Sequence, residues 1–224
     1  MTRGRVGLGA CGVQRESRQR VWGRVGLNPT LPGDKEAQVF DDLLQAVRRA
    51  FAPVPEAAPF LADWPDTAER RVLQPSALPV CQWLDGMGRD GVLGPLRAVS
   101  HGLQWRQTYG AGDFGADFLN GYGWSEFIGL RGPVPSDRIA CGVLLLAPGI
   151  TYPAHAHQAE EVYLPIHGRA EWQKGDAAFA PVPVGQAIHH PSWVSHAMRV
   201  RDEPLAALYL WRGGDLAAKS VILG

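Results

Sequence analysis

Histidine is unevenly distributed along this 224-residue chain. Six of its seven histidines lie between residues 155 and 196, and only His101 lies outside that stretch. Imidazole is a frequent metal ligand and the side chain that most readily exchanges a proton near neutral pH. The cluster therefore predicts a metal site or an acid–base centre. Its members are His155, His157, His167, His189, His190 and His196.

The spacing within the cluster favours a metal site. His155 and His157 are two residues apart, which directs both side chains to one face of a β-strand. Glu161 follows four residues later and keeps that parity if the strand continues. His196, on a later β-rich run, is the candidate for a fourth ligand. Three imidazoles and one carboxylate suit one divalent transition metal ion, and spacing alone leaves Zn, Fe, Mn and Ni open.

Two tyrosines lie where they could act beside such a metal. Tyr163 comes two residues after Glu161 and so shares the face of the ligands. A phenol has a pKa of about 10, but a divalent cation nearby favours the phenolate, which can serve as a base. Tyr152 could reach the mouth of the same pocket, and it is the second candidate catalytic residue. The alternative for Tyr163 is a packed side chain with a satisfied hydroxyl.

The elements before the cluster are predicted to be helical. Apolar residues repeat at three-to-four spacing over residues 34–51, and further helices are expected over 76–87 and 91–100. We therefore predict an α-helical region over residues 34–102, packed on the remainder of the chain. Residues 1–33 are Arg-rich and lack the apolar segment of a secretory signal, and we expect a disordered arm there.

From residue 103 onward, short β-rich runs alternate with Gly and Pro. Many short strands at such spacing are typical of an all-β sandwich or barrel. We predict that residues 103–224 form one barrel that carries the metal site. The runs cover residues 127–130, 139–146, 161–166, 170–173, 187–190, 194–200 and 205–211.

Composition excludes several functional classes. The 22 basic residues balance the 22 acidic ones, so the chain lacks the positive charge of a nucleic-acid binder. Its apolar runs are far shorter than the roughly 20 residues that cross a bilayer. The three cysteines are widely spaced, which argues against a disulfide framework and favours a reducing, cytoplasmic location. We expect no membrane or nucleic-acid partner, while a homodimer formed through exposed β edges remains open.

The metal-site residues also match a known pattern. Gly149, His155, His157, Glu161 and Gly168 reproduce the spacing of the first motif of the cupin superfamily. This resemblance implies a mainly β fold, a double-stranded β-helix or jelly-roll barrel, here with an α-helical N-terminal region. It implies four metal ligands, which are His155, His157, Glu161 and His196.

The second cupin motif is kept in part. Gly185, Pro191 and His196 hold the expected spacing, whereas Trp193 stands at the usual glycine and Val200 at the usual asparagine. These departures leave the conformation of the second turn open, but they keep the ligand histidine.

A narrower resemblance concerns the surroundings of the motif. The run 155–163, the pair Glu171-Trp172 and the run 209–215 resemble cupin-type dimethylsulfoniopropionate (DMSP) lyases. A helical region followed by a cupin barrel is most similar to the DddL branch, and the resemblance covers residues 35–224. It implies β-elimination of a small zwitterion, in which the metal binds the carboxylate and Tyr163 takes the proton. The sulfonium would need an aromatic wall, for which the candidates are Tyr122, Trp124, Trp172, Trp193 and Trp211.

Two other functions are compatible with the same four predicted metal ligands. A cupin dioxygenase or small-acid isomerase would be distinguished by Fe(II)-dependent oxygen uptake, or by the absence of acrylate when DMSP is supplied. A non-catalytic, ligand-binding cupin would bind its ligand without turnover. A cupin fold alone does not decide among these functions.

Overall fold

A computed structural model describes residues 32–223 of the chain. Within this range, the helices lie mostly in the N-terminal part. The predicted arm over residues 1–33 falls outside that range except for its last two residues, which open the first helix. None of the helices within 32–223 has the length and apolar character needed to cross a membrane. The α-helices are α1 (Pro32–Phe51), α2 (Ala58–Ala62), α3 (Leu93–Val99) and α4 (Ala116–Asn120), and the 3₁₀ segments are Pro55–Ala57, Pro79–Gly86 and Ser100–Gly102.

The helical predictions hold with shifted boundaries. α1 begins two residues earlier than predicted, because Pro32 suits the first position of a helix, where its missing N–H costs nothing. The helix predicted over 76–87 is the 3₁₀ segment Pro79–Gly86. The helix predicted over 91–100 is α3, which tightens into a 3₁₀ turn from Ser100.

Twelve strands within the described residues form two sheets. The strands are β1 (Trp105–Arg106), β2 (Tyr122–Gly129), β3 (Val134–Pro135), β4 (Ile139–Leu146), β5 (Thr151–Ala156), β6 (Glu160–His167), β7 (Ala170–Lys174), β8 (Ala180–Val182), β9 (Ile188–His190), β10 (His196–Val200), β11 (Leu205–Arg212) and β12 (Val221–Ile222). The larger sheet has the order β1-β2-β4-β11-β6-β9, with β3 parallel to β2, and the smaller has the order β12-β5-β10-β7-β8. All other strand pairings are antiparallel, and the mainly β prediction is confirmed.

The central strands of the larger sheet are buried on both faces. In β11, Leu208 and Leu210 belong to the same apolar core as Leu43 and Phe51 of α1. Tyr209, between them in sequence, belongs to the second core, which lies between the sheets. The helices therefore cover the outer face of this sheet, and its inner face is left for the site. Burial on both faces explains why β4 and β11 read as continuous apolar runs.

Gly168, the last residue of the first cupin motif, is held in a crowded turn between β6 and β7. Its φ is +87°, and a Cβ there would collide with the carbonyl oxygen of Pro204. We expect Gly168→Ala to lower the free energy of unfolding by more than about 3 kcal/mol, because positive φ and a clash with backbone add together. Urea unfolding followed by circular dichroism measures this loss.

Gly175→Ala is the matched control, because Gly175 also turns with positive φ, at +56°, but an added Cβ there would have no atom within 4 Å. It should lose only about 1–2 kcal/mol, the cost of the left-handed conformation. Equal losses in the two variants would show that the approach of Pro204 is not what requires glycine at position 168.

Candidate metal centre and its cavity

Three of the predicted ligands come together between the two sheets. His155 lies in β5 and His196 begins the neighbouring strand β10, where the two residues are paired in register. His157 follows the end of β5 directly. One ring nitrogen of each residue lies within 4.8 Å of the others, and all three side chains are buried. This arrangement could hold a metal ion.

The outer nitrogen of each imidazole is held by backbone. Nδ1 of His155, His157 and His196 lies 2.9, 2.8 and 2.9 Å from the carbonyl oxygen of a residue two positions away. A carbonyl oxygen can only accept, so each Nδ1 carries the hydrogen. The Nε2 atoms of the neutral rings then keep their lone pairs, as metal-ligating histidines do when their other nitrogen donates to a carbonyl.

Glu161 reaches two of the three histidines from the opposite sheet. It is fully buried in β6, and its Oε2 lies 3.0 Å from Nε2 of His157 and 3.1 Å from Nε2 of His196. The condition behind the parity argument, one strand continuing from the histidines to Glu161, is not met, because β5 ends at Ala156 and β6 starts at Glu160 in the other sheet. A crossing between sheets, and not strand parity, brings the carboxylate to the imidazoles.

The charges of this group call for a cation. Burial raises the pKa of Glu161, but His157 and His196, when each carries a second proton on Nε2, outweigh burial and hold that pKa well below its usual range. Burial, followed by the charge of His196, holds the pKa of His155 well below its usual range. The ionised, buried carboxylate of Glu161 faces the Nε2 atoms of His157 and His196. A buried charge is costly unless it is paired, so positive charge is needed here, either as protons on the rings or as a metal ion. Three nitrogens and one oxygen fit a divalent transition metal, whose identity the donor set leaves open.

A cavity of about 250 Å³ adjoins these ligands. His155 and Glu161 form part of its wall, so a molecule in the cavity would contact the metal-ligand group directly. Most of the aromatic residues predicted to act there are present. They are Tyr122, Tyr152, Tyr163, Trp124 and Trp211.

The closing segment, residues 216–220, forms one side of the cavity. Arg131 donates from its guanidinium to two carbonyl oxygens of this segment, at 3.3 and 2.5 Å. Lys219, within the segment, forms an ion pair of 2.8 Å with Asp113. These contacts hold the closing segment against the rest of the barrel.

Tyr163 lies on the ligand side of β6, as its spacing predicts. It is buried, and its ring centroid is 6.4 Å from that of His196. Burial, followed by the negative charge of Glu161, raises the pKa of Tyr163 well above its usual range. The side chain is therefore a phenol beside the carboxylate when no cation offsets that charge.

Tyr152 lies deeper than the predicted position at the pocket mouth. Its ring centroid is 4.3 Å from that of His155, and its hydroxyl donates to the hydroxyl of Tyr109 at 3.3 Å. Burial, followed by the charge of Tyr122, raises the pKa of Tyr152 well above its usual range. Tyr152 thus packs against a metal-ligand candidate as part of the cavity wall.

Similarity to known proteins identifies the family. The family model for dimethylsulfoniopropionate lyase matches residues 59–207. The chain is 32% identical to the DMSP lyase DddQ of Ruegeria pomeroyi over 189 residues. This alignment covers 82% of this chain and 93% of that relative. This chain belongs to the DMSP lyase family.

Further matches to DMSP lyases agree with the fold. The putative DMSP lyase DddL of Cereibacter sphaeroides is 31% identical over 75% of this chain and 70% of its own length. The crystal structure of DddQ from R. pomeroyi superimposes with a TM-score of 0.74 at 31% identity, covering 83% of this chain and 96% of that chain. A chain from the crystal structures of the lyases RdDddP and RnDddQII gives the same TM-score and identity, covering 84% of this chain and all of that chain. The resemblance to cupin-type DMSP lyases is confirmed, and assignment to the DddL branch stays a prediction.

Two tryptophans predicted for the substrate wall of this DMSP lyase lie outside the cavity lining. Trp172 in β7 is buried beside Tyr163, with ring centroids 6.3 Å apart, and belongs to the core between the sheets. Trp193 is 59% exposed on the turn before β10. Its φ of 61° keeps the left-handed conformation of the usual cupin glycine, and its N–H donates to the carbonyl of His157 at 2.9 Å. Its backbone supports His157, a candidate ligand, while its side chain faces solvent.

The structure separates two histidines whose roles the spacing left open. His189 faces outward, and its Nε2 lies 2.7 Å from a carboxylate oxygen of Glu160. His190 is fully buried and stacks on His196, with ring centroids 4.1 Å apart and planes 13° apart. Burial, followed by the charge of His196, lowers the pKa of His190 to about 3, so its ring is neutral. Strand alternation already required one of the pair to point inward.

Tyr209 is a cavity residue that the sequence reasoning missed. It is paired in register with Tyr163 on one side and with Gly142 on the other. A Cβ at Gly142 would lie 2.6 Å from the hydroxyl of Tyr209, so the missing side chain makes room for this ring. The sequence could have indicated this position, because Tyr209 lies two residues before the predicted wall residue Trp211, and residues two apart in a strand share a face.

Proposed function

We propose that this chain is a metal-dependent lyase that cleaves DMSP to dimethyl sulfide and acrylate. The observation that carries this proposal is a buried group of three histidines and one glutamate at the wall of a small aromatic cavity. Relatives named as DMSP lyases support the choice of substrate. The roles of the individual residues rest on their positions and chemistry.

The reaction requires a base and stabilisation of charge at one end of the substrate. DMSP carries a carboxylate at one end and a dimethylsulfonium at the other. A proton leaves the carbon next to the carboxylate, and its electron pair forms the carbon–carbon double bond. The carbon–sulfur bond breaks, and sulfur keeps the bonding pair and departs as neutral dimethyl sulfide. The leaving group therefore needs no acid.

The carboxylate end is assigned to the metal-ligand group. His155, His157, Glu161 and His196 would hold one divalent ion, which when bound supplies a Lewis acid for the substrate carboxylate. Tyr163, beside Glu161, would take the proton through its phenolate oxygen. Tyr152 borders the same end of the cavity and would restrict the position of the substrate against His155.

The sulfonium end is assigned to the aromatic wall. Tyr122 and Trp124 line the cavity, and each aromatic face can attract a cation with about 0.5–2 kcal/mol. Trp211 also lines the cavity, but it lies against Glu161 and His157 and so borders both ends. The cavity, at about 250 Å³, is smaller than the roughly 300–1,000 Å³ of drug-sized pockets and therefore suits a small zwitterion.

Reconstitution with metal tests this function. The full-length protein is stripped with a chelator, loaded separately with Zn²⁺, Fe²⁺, Mn²⁺ or Ni²⁺, and incubated with DMSP. We expect equimolar dimethyl sulfide in the headspace and acrylate in solution, which are both lost when the metal is removed. Absence of both products with every metal would refute the proposal. Oxygen uptake with Fe²⁺ in place of acrylate would indicate a dioxygenase, and DMSP binding without products would indicate a ligand-binding cupin.

A further inference from the structure

Trp211 holds the oxygen of Glu161 that faces away from the histidines. The two residues are paired in register on β11 and β6. The indole Nε1–H of Trp211 donates to Oε1 of Glu161 at 2.6 Å. Oε2 of the same carboxylate faces the Nε2 atoms of His157 and His196. The indole therefore fixes which oxygen is turned toward the histidines.

The same indole also packs on a second member of the group. Its ring centroid lies 4.2 Å from that of His157, with planes 32° apart. On its other side, Trp211 is paired with Ala140 of β4, whose small side chain leaves space for the large ring. One side chain thus contacts both a carboxylate and an imidazole that converge from different sheets.

An indole is well suited to this position. Its N–H can only donate, so it always presents a hydrogen to Oε1 and never competes with the ligands for a proton. Glu161 is fully buried, so loss of this donor would leave a charged oxygen without a partner. Outer hydrogen bonds of this kind orient the residues that bind a metal and commonly affect its affinity about 10–100-fold.

We infer that Trp211 is a positioning residue of the metal centre, which orients Glu161 by its indole N–H and His157 by its ring. This inference rests on the proposed metal site, but not on the identity of the substrate. It assigns Trp211 a function toward the metal, in addition to its place in the cavity wall.

Metal affinity tests the inference without reference to catalysis. Trp211→Phe keeps an aromatic ring but removes the donor. We expect its dissociation constant for Zn²⁺, measured by competition with a chromophoric chelator, to rise about 10–100-fold. Its Co²⁺ complex should show a changed visible absorption spectrum. The control is Trp105→Phe, because Trp105 is also buried and donates its indole N–H, at 3.0 Å, to the carbonyl of Ser100 far from the ligands.

A double-mutant cycle separates positioning from general loss of structure. If Trp211 acts through Glu161, Trp211→Phe should weaken Zn²⁺ binding much less in a Glu161→Ala background than in the wild type. In wild-type protein labelled with ¹⁵N-tryptophan, Zn²⁺ should shift the indole resonance of Trp211 and leave that of Trp105 in place. This last measurement needs no variant to fold.

The outcomes are distinct. A wild type that binds Zn²⁺ together with a Trp211→Phe variant of equal affinity overturns the inference and leaves the lyase proposal standing. Equal losses with and without Glu161 overturn it as well, because Trp211 would then not act through the carboxylate. A wild type that binds no metal overturns both the metal centre and this inference. Failure to release dimethyl sulfide from DMSP, with affinities as expected, overturns only the proposed substrate.

Discussion

Replacement of His157 with alanine is expected to remove metal binding and to lower the rate of dimethyl sulfide release by at least about 10³-fold. His157 is buried at the centre of the group, with its Nε2 3.0 Å from Glu161 and its ring against those of His196 and Trp211. Without the Lewis acid, the free energy of the transition state rises by several kcal/mol. A rise of about 4 kcal/mol already lowers the rate about 10³-fold. Elemental analysis of the purified variant and headspace assays with DMSP measure the two effects.

His189→Ala is the control for this prediction. His189 belongs to the same histidine-rich stretch, but its ring faces outward and pairs with Glu160. This variant should keep the metal content and rate of the wild type. Thermal unfolding of both metal-free variants shows whether each is folded. If folded His157→Ala retained full metal content and rate, the assignment of the metal centre would be refuted.

The central part of the fold was predictable because burial leaves a clear pattern in sequence. β4 and β11 lie between the helices and the inner core, so nearly every residue is apolar, and their predicted limits differ from the structure by at most one residue. β1, β3, β8 and β12 have only two or three residues each, too few to show a period. β5 was absent from the predicted β-rich runs, although the spacing of its histidines placed them on a strand, because Pro153 and the polar histidines interrupt its apolar pattern.

Spacing led to the candidate ligand set, but it did not predict the geometry that brings these residues close together. The four candidate ligands were chosen by their match to the cupin motifs. The structure groups the three histidines and places Oε2 of Glu161 beside two of them, and the ligand set itself stays a prediction. Strand parity, however, was the wrong reason for including Glu161. Between Ala156 and Glu160 the chain crosses from one sheet to the other. The spacing between His157 and Glu161 therefore reflects the length of the connection between two sheets. An argument that assumes one continuous strand cannot predict this geometry.

The aromatic residues show the limit of reading one sequence. An inward position in a strand does not distinguish the cavity wall from the packed core. Trp172 and Tyr163 both face the space between the sheets, yet only Tyr163 borders the cavity. Trp193 occupies a turn with the left-handed backbone conformation typical of glycine. A large apolar side chain at such a turn is not required to be buried, so the residue type alone did not predict its exposure. Such distinctions depend on how both sheets curve around the ligand group, which needs three-dimensional contacts.

Replacement of Tyr163 with phenylalanine is expected to lower kcat for DMSP cleavage about 10²–10⁴-fold, the usual contribution of a general base. The phenyl ring keeps the packing of Tyr163 against Trp172 and His190, whereas the hydroxyl beside Glu161 is lost. Since the hydroxyl is not assigned to the metal, the dissociation constant for Zn²⁺ should stay within about threefold of the wild-type value, well below the 10–100-fold change expected for a positioning residue. Steady-state kinetics and chelator competition measure these quantities.

Tyr209→Phe provides the comparison, because Tyr209 is the register partner of Tyr163, is buried and lines the same cavity. Removal of its hydroxyl changes the polarity of the wall without removing the proposed base, so kcat should fall less than about tenfold, below the range of a lost general base. A rate close to wild type in metal-loaded Tyr163→Phe, with a large loss in Tyr209→Phe, would instead place the base on β11. Because the two hydroxyls lie on adjacent strands of one sheet, this pair of variants tests which strand delivers the proton acceptor to the substrate.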